Sequence, residues 1–255
     1  MTGPGTLYLV PNGLDGGTGE TGVDLGERLP LGTLRVAARL SDWVVENAKA
    51  ARVFLKRVDA ICPLARPMQE IAMVELPRPP KGRPDTAPFD ADRLLAPALG
   101  GRDLGLISDA GLPAVADPGA RVVAAAHRAG LRVVALPGAS SITLAVAASG
   151  LNGQSFAFVG YIPIPADERA AQIRSLEAAS RRDGATQVLI ETPYRNAALL
   201  EALLAHLQPA TRLSVSVGLT LPGGFTRSDS VAGWKKRPGA LPADVPAVFA
   251  LLAGR

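Results

Sequence analysis

The sequence predicts an α/β protein organised around a parallel sheet, and three observations carry that prediction. Residues 103–136 spell one β-loop-α-β unit; short apolar runs alternate with helix-period segments along the rest of the chain; and the loops after two of these runs are built of small residues. In the unit itself, Leu104, Leu106 and Ile107 form a strand that Ser108, Asp109, Ala110 and Gly111 break sharply. Asp117 and Pro118 read as an N-cap and first helical residue before the apolar run 122–126, Gly130 closes that helix, and residues 131–136 are the next strand. Ligands of such sheets bind beyond the carboxyl ends of the strands. Ser108–Pro113 and Pro137–Ser141 are expected there as neighbours, with Asp109 an acceptor suited to an ammonium or a pair of hydroxyls. The same residues also suit two ordinary βα turns.

The remaining elements follow in order. Thr6–Val10 is a strand ended by Pro11-Asn12-Gly13, and residues 13–26 are a Gly-rich loop without periodicity. Leu31–Leu40 is a helix with Leu34, Ala37 and Ala38 inward and Val36 beside them; Trp43-Val44-Val45 is a strand, followed by Glu46-Asn47-Ala48-Lys49. The next helix, 47–57, carries Lys49, Arg52 and Lys56 on one face, which reads either as a solvated face or as a phosphate-contacting stripe. Residues 77–84 form a basic, Pro-rich connector, and 90–99 return to helix. Beyond the central unit come a helix at 140–149, a strand at 156–161, a charged helix at 167–182 with Ile173 and Leu176 inward, and a strand at 186–190. Glu191-Thr192-Pro193-Tyr194-Arg195 follows, with Thr192 a helix start and Glu191 with Arg195 either an ion pair or part of a site. Strands at 213–219 and 246–253 complete the chain, the last beside the ligand cleft.

Composition bounds the function. With 255 residues, 47% of them hydrophobic, the chain can bury one large or two ordinary cores. No apolar run approaches a membrane span, the first residues lack the pattern of a signal peptide, and the single Cys62 excludes an intramolecular disulfide. A soluble cytoplasmic protein is the expectation. Net charge is +4, but residues 49–83 alone carry eight basic side chains against three acidic ones, a local balance of +5. His127 and His206, far apart and with one cysteine in the chain, argue against a zinc site, and neither a Walker loop nor a G-x-S-x-G elbow is present.

The run S-D-A-G-x-P-x-x-x-D-P-G at Ser108–Gly119, a following strand, then P-G-x-S at Pro137–Ser140, resembles the tetrapyrrole methylase superfamily, and within it most resembles the ribosomal RNA small-subunit methyltransferase I family. E-x-P-x-R at Glu191, Pro193 and Arg195 agrees with the same pattern. Three stretches depart from it: V-P-N-G-L where the family has T-P-I-G-N, E-N-A-K where it has E-D-T-R, and L-T-L where it has L-T-K. The resemblance implies two α/β domains, set at 1–137 and 138–255, forming a cleft that binds S-adenosylmethionine, and a homodimer. By position it places Pro11, Ser108, Asp109, Ala110, Leu112, Ser140, Ser141 and Thr192 at the cofactor, with Glu46, Lys49, Asp109 and Glu191 as candidates for handling a proton.

Methyl transfer needs an in-line approach more than a strong acid or base, although a ribose hydroxyl must also lose its proton. Three functions remain open on the sequence: ribose methylation of RNA of the small ribosomal subunit, favoured by the basic stretch; methylation of a tetrapyrrole or other small acceptor, with Arg52 or Arg195 for its carboxylates; and cofactor binding without transfer.

Overall fold

A computed structural model describes residues 3–15, 24–77 and 89–254. The predicted Gly-rich loop therefore falls partly, through residues 16–23, outside the described residues, as do Arg78, Lys81 and Arg83 of the Pro-rich connector. The chain divides into two compact units, Met1–Ser140 and Ser141–Arg255.

The first unit contains β1 (Thr6–Leu9), α1 (Leu31–Arg39), β2 (Asp42–Val45), α2 (Ala48–Asp59), β3 (Ala72–Glu75), α3 (Ala91–Leu99), β4 (Leu104–Ile107), α4 (Ala120–Arg128) and β5 (Arg132–Ala135). Its sheet is wholly parallel, in the order β3-β2-β4-β1-β5. Alternation along β2 explains why the strand is buried throughout. Trp43 and Val45 join Leu34, Phe54 and Leu55 from α1 and α2 in one core, while Val44 joins Leu95, Leu104 and Val122 beside α3 and α4 in another. A short apolar run with no polar face is the signature of such a strand.

Two expectations need correction here. Strands β4 and β5 are not neighbours, because β1 pairs with both and lies between them. The loops after β4 and β5 therefore flank the loop after β1. In addition, Asp117 and Pro118 do not open α4. The helix begins at Ala120, after Gly119 at φ 126°, a left-handed value that only glycine adopts readily. The loop before it also holds Ala114 and Ala116 at φ 66° and 64°, so Pro118 is taken up in a compact turn rather than a first helical turn. Strand β3 was not foreseen: it is four residues at the sheet edge, beside the Pro-rich stretch that dominates the local sequence.

The second unit comprises α5 (Ser141–Ser149), β6 (Phe156–Gly160), α6 (Ala166–Asp183), β7 (Thr186–Glu191), α7 (Asn196–His206), β8 (Arg212–Val217), β9 (Phe225–Ser230), α8 (Val231–Lys236) and β10 (Ala247–Leu252). Its mixed sheet runs β6-β7-β10-β8-β9, with only β6 and β7 parallel. Ile142, Ala145 and Val146 of α5 pack on Val188, Val248 and Ala250 from one face. Helices α6, α7 and α8 cover Leu189, Val215 and Phe249 on the other. The final strand is thus central in its sheet. Strand β9 (F-T-R-S-D-S) has no strand-like composition and owes its place to pairing with β8. Among the described residues no helix is long and apolar enough to cross a membrane.

Candidate functional site

Three strand-end loops of the first unit are held together by backbone bonds, a side-chain bond and close packing, and Asn12 is the residue that joins two of them. Val10 N–H donates to Leu106 O (2.9 Å), Asn12 N–H to Gly111 O (2.9 Å) and Gly111 N–H to Gly13 O (3.3 Å). The Asn12 side chain, fully buried, donates from Nδ2 to Asp109 O (3.0 Å) and accepts from Gly13 N–H (2.8 Å). The third loop closes on the first at Gly138, where a Cβ would lie 2.2 Å from Cγ of Pro11 and 3.1 Å from Leu29. Thr33 Oγ1 donates to Pro137 O (2.7 Å), fixing the start of α1 to the same loop. Pro11, Ser108, Asp109, Ala110, Leu112 and Ser140 all stand in these three loops.

Strand β2 adds an acidic element. Glu46 N–H donates to Ile107 O (3.1 Å), and Glu46 Oε2 accepts from Asp109 N–H (3.1 Å). Asn47 caps α2, its Oδ1 accepting from Lys49 N–H (2.9 Å) and Ala50 N–H (3.4 Å), so one departure in E-N-A-K is a residue used as an N-cap. Asp117 comes into the field of this group. Burial first, then the charges of Glu46 and Asp109, push its carboxyl up to about 7. Three carboxylates thus share one end of the sheet, with Asp117 poised to exchange a proton near neutral pH. They are not arranged to hold a metal, and no such group exists among the described residues.

Two further polar groups are buried without a hydrogen-bond partner: Ser108 Oγ, and all three guanidinium nitrogens of Arg28. Arg28 lies between Leu25 and Leu29, which are buried with Val10 and Leu136 under the first and third loops. A buried guanidinium left unpaired is costly, so this position suits an anionic group.

Residues 30–226 match the sequence profile of the Tetrapyrrole (Corrin/Porphyrin) Methylases. The chain belongs to that family. The family uses S-adenosylmethionine as methyl donor. Among individual relatives, ribosomal RNA small subunit methyltransferase I of Mesorhizobium japonicum is 38% identical over 128 residues, covering 50% of this chain and 42% of the relative. The protein of the same name from Neisseria meningitidis serogroup B is 37% identical over 130 residues, covering 51% and 43%. The chain thus matches well under two thirds of these relatives' length. A uroporphyrin-III-C-methyltransferase structure from Thermus thermophilus has the same fold, with 22% identity, a TM-score of 0.51, and coverage of 97% of this chain and 92% of that one.

Ser141, Glu191 and Thr192, also expected at the methylase site, lie in the second unit. Ser141 opens α5, and Glu191 ends β7. Glu191 Oε1 accepts from Thr192 N–H (2.7 Å), Thr192 Oγ1 (3.2 Å), and Arg195 Nε (2.9 Å) and Nη2 (2.6 Å). The ion-pair reading of Glu191 and Arg195 is what the structure contains. Lys49, Arg52 and Lys56 are exposed on α2, whereas Arg57 is paired with the buried Asp15 at 2.7 Å. Sequence reasoning passed over Asn12, Arg28 and Asp117. Asp117 stands inside the quoted motif, but its sequence pattern reads as a helix cap and hides its burial.

Proposed function

We propose that the protein is an S-adenosylmethionine-dependent methyltransferase with RNA as acceptor, a ribose hydroxyl of small-subunit ribosomal RNA being the first candidate. The convergence of Glu46, Asp109 and Asp117 at one sheet end carries the donor half of this reading, and the buried, unpartnered Arg28 guanidinium adds a cation to it. S-adenosylmethionine, when bound, supplies a methyl group on a sulfonium centre. Asp109 and Asp117 would hold its cationic parts, Arg28 its carboxylate, and Ser108 Oγ a polar atom, while Pro11, Ala110, Leu112 and Ser140 would line the pocket. Glu46 spends Oε2 on Asp109 N–H, so its other oxygen is the group that takes the acceptor hydroxyl's proton. Calorimetric titration with S-adenosylmethionine tests the donor half: micromolar binding, weakened about tenfold or more in Asp109→Ala, is expected. Absence of binding at millimolar cofactor would overturn it.

The names of the curated relatives and the α2 stripe support RNA as acceptor. Lys49, Arg52 and Lys56 recur at i, i+3 and i+7, spanning about 10 Å from the end of β2 that holds Glu46. They would fix phosphates without reading sequence. Three such contacts to a single strand give a log–log salt slope of about −2. Replacing all three by alanine is expected to bring the slope, measured by anisotropy with a labelled oligoribonucleotide, close to zero.

A further inference from the structure

The three most exposed large apolar side chains among the described residues are Tyr194 (75%), Ile164 (63%) and Tyr161 (57%). They are not scattered. Strands β6 and β7 are parallel neighbours, with Gly160 opposite Leu189, so the segments that leave them, Tyr161–Pro165 and Thr192–Arg195, emerge at the same carboxyl end of the second sheet. Single exposed apolar residues need no explanation, but three in two adjoining loops do.

The loops that carry them are stiffened. Pro163 and Pro165 bracket Ile164, and Pro193 precedes Tyr194, so backbone freedom is restricted on both sides. The Arg195 guanidinium lies 5.8 Å from the Tyr194 ring centroid and is itself fixed by the pair to Glu191. Arg169, in the first turns of α6 just past Pro165, has a buried Nε without a hydrogen-bond partner. A cation therefore stands beside the exposed Tyr194 ring at the sheet end where ligands of α/β sheets bind.

We propose that Tyr194 and Tyr161, with Ile164, form a stacking surface for an unpaired base of the acceptor RNA. This rests on the RNA reading of the function and adds to it where a base is received. A flat π face with a guanidinium beside it suits a nucleobase, whose own face stacks on tyrosine irrespective of sequence.

The test uses the full chain, fluorescence anisotropy, and two labelled probes of ten nucleotides: oligo(A) RNA and the same ribose-phosphate chain without bases. Tyr194→Ala is expected to weaken oligo(A) binding about tenfold, Tyr194→Phe to keep wild-type affinity, and the abasic strand to bind both variants alike. Oligo(A) binding unchanged in Tyr194→Ala and in Tyr161→Ala/Tyr194→Ala would overturn the stacking surface and leave RNA binding standing. Equal weakening of both probes, or dissociation of an oligomer on sedimentation of Tyr194→Ala, would also overturn it. No binding of either probe by the unaltered protein at low salt would overturn the RNA reading and the surface together.

Discussion

Affinity for S-adenosylmethionine is expected to fall about 50-fold between pH 7 and pH 5. At pH 7 Asp117 is half ionised, because burial and the charges of Glu46 and Asp109 hold its carboxyl at about 7; at pH 5 only about one molecule in a hundred keeps the charge. The ligand's amino group titrates higher, so it stays mostly cationic across this range. A cation received by Asp117 therefore loses its counter-charge as pH falls. Asp117→Asn should show a nearly flat profile, and Glu46→Gln should move the midpoint down by removing one of the charges that raise it. Stability of the ligand-free chain should move the other way. A carboxyl whose folded pKa lies above its unfolded value of 3.8 binds its proton more tightly when folded, so the penalty of ionising it grows as pH rises from about 4 through about 7. Asp117→Asn should accordingly melt several degrees higher than the unaltered chain at pH 8 and at the same temperature at pH 4. A site that is repulsive when empty and neutralised when filled would give both results. A pH-independent affinity would remove Asp117 from the cation site.

The contrast between legible and hidden features has physical causes. Strands β2 and β4 are buried on both faces, so their apolar runs announced them; β9 could not be read because cross-strand partners, not its own residues, hold it in place. The small-residue loops marked the ends of two strands, yet strand order was out of reach. That order decides that β1, with Asn12 at its end, sits between the two loops. A local pattern records which backbone groups need a partner, and Asp-Pro before a helical run is the usual one for a cap. Here tertiary packing won: Gly119 at φ 126° delays the helix and leaves Asp117 with the other carboxylates. Asn47 shows the reverse case, where a departure from the family's residues is a local cap and needs no tertiary explanation.

Arg195→Ala is expected to destabilise the chain by about 3 kcal/mol and lower its melting temperature by about 10 °C. The Glu191 side chain is 6% exposed, and two of the four bonds reaching its Oε1 come from Arg195. Removing the guanidinium leaves a buried charge supported only by Thr192, and that residual penalty dominates over the lost attraction. Removing both charges together should be far milder: Glu191→Met/Arg195→Met retains apolar volume and leaves no orphan, so most of the loss should be recovered, and a double-mutant cycle measures the difference. The same variants decide the chemical role of Glu191. In the reading that gives the proton to Glu46, Glu191 is a structural partner of Arg195, so Glu191→Gln should change methyl transfer no more than its stability loss accounts for. A 100-fold fall in turnover with an unchanged melting temperature would instead make Glu191 the proton acceptor and leave Glu46 as a purely structural acceptor of the Asp109 N–H.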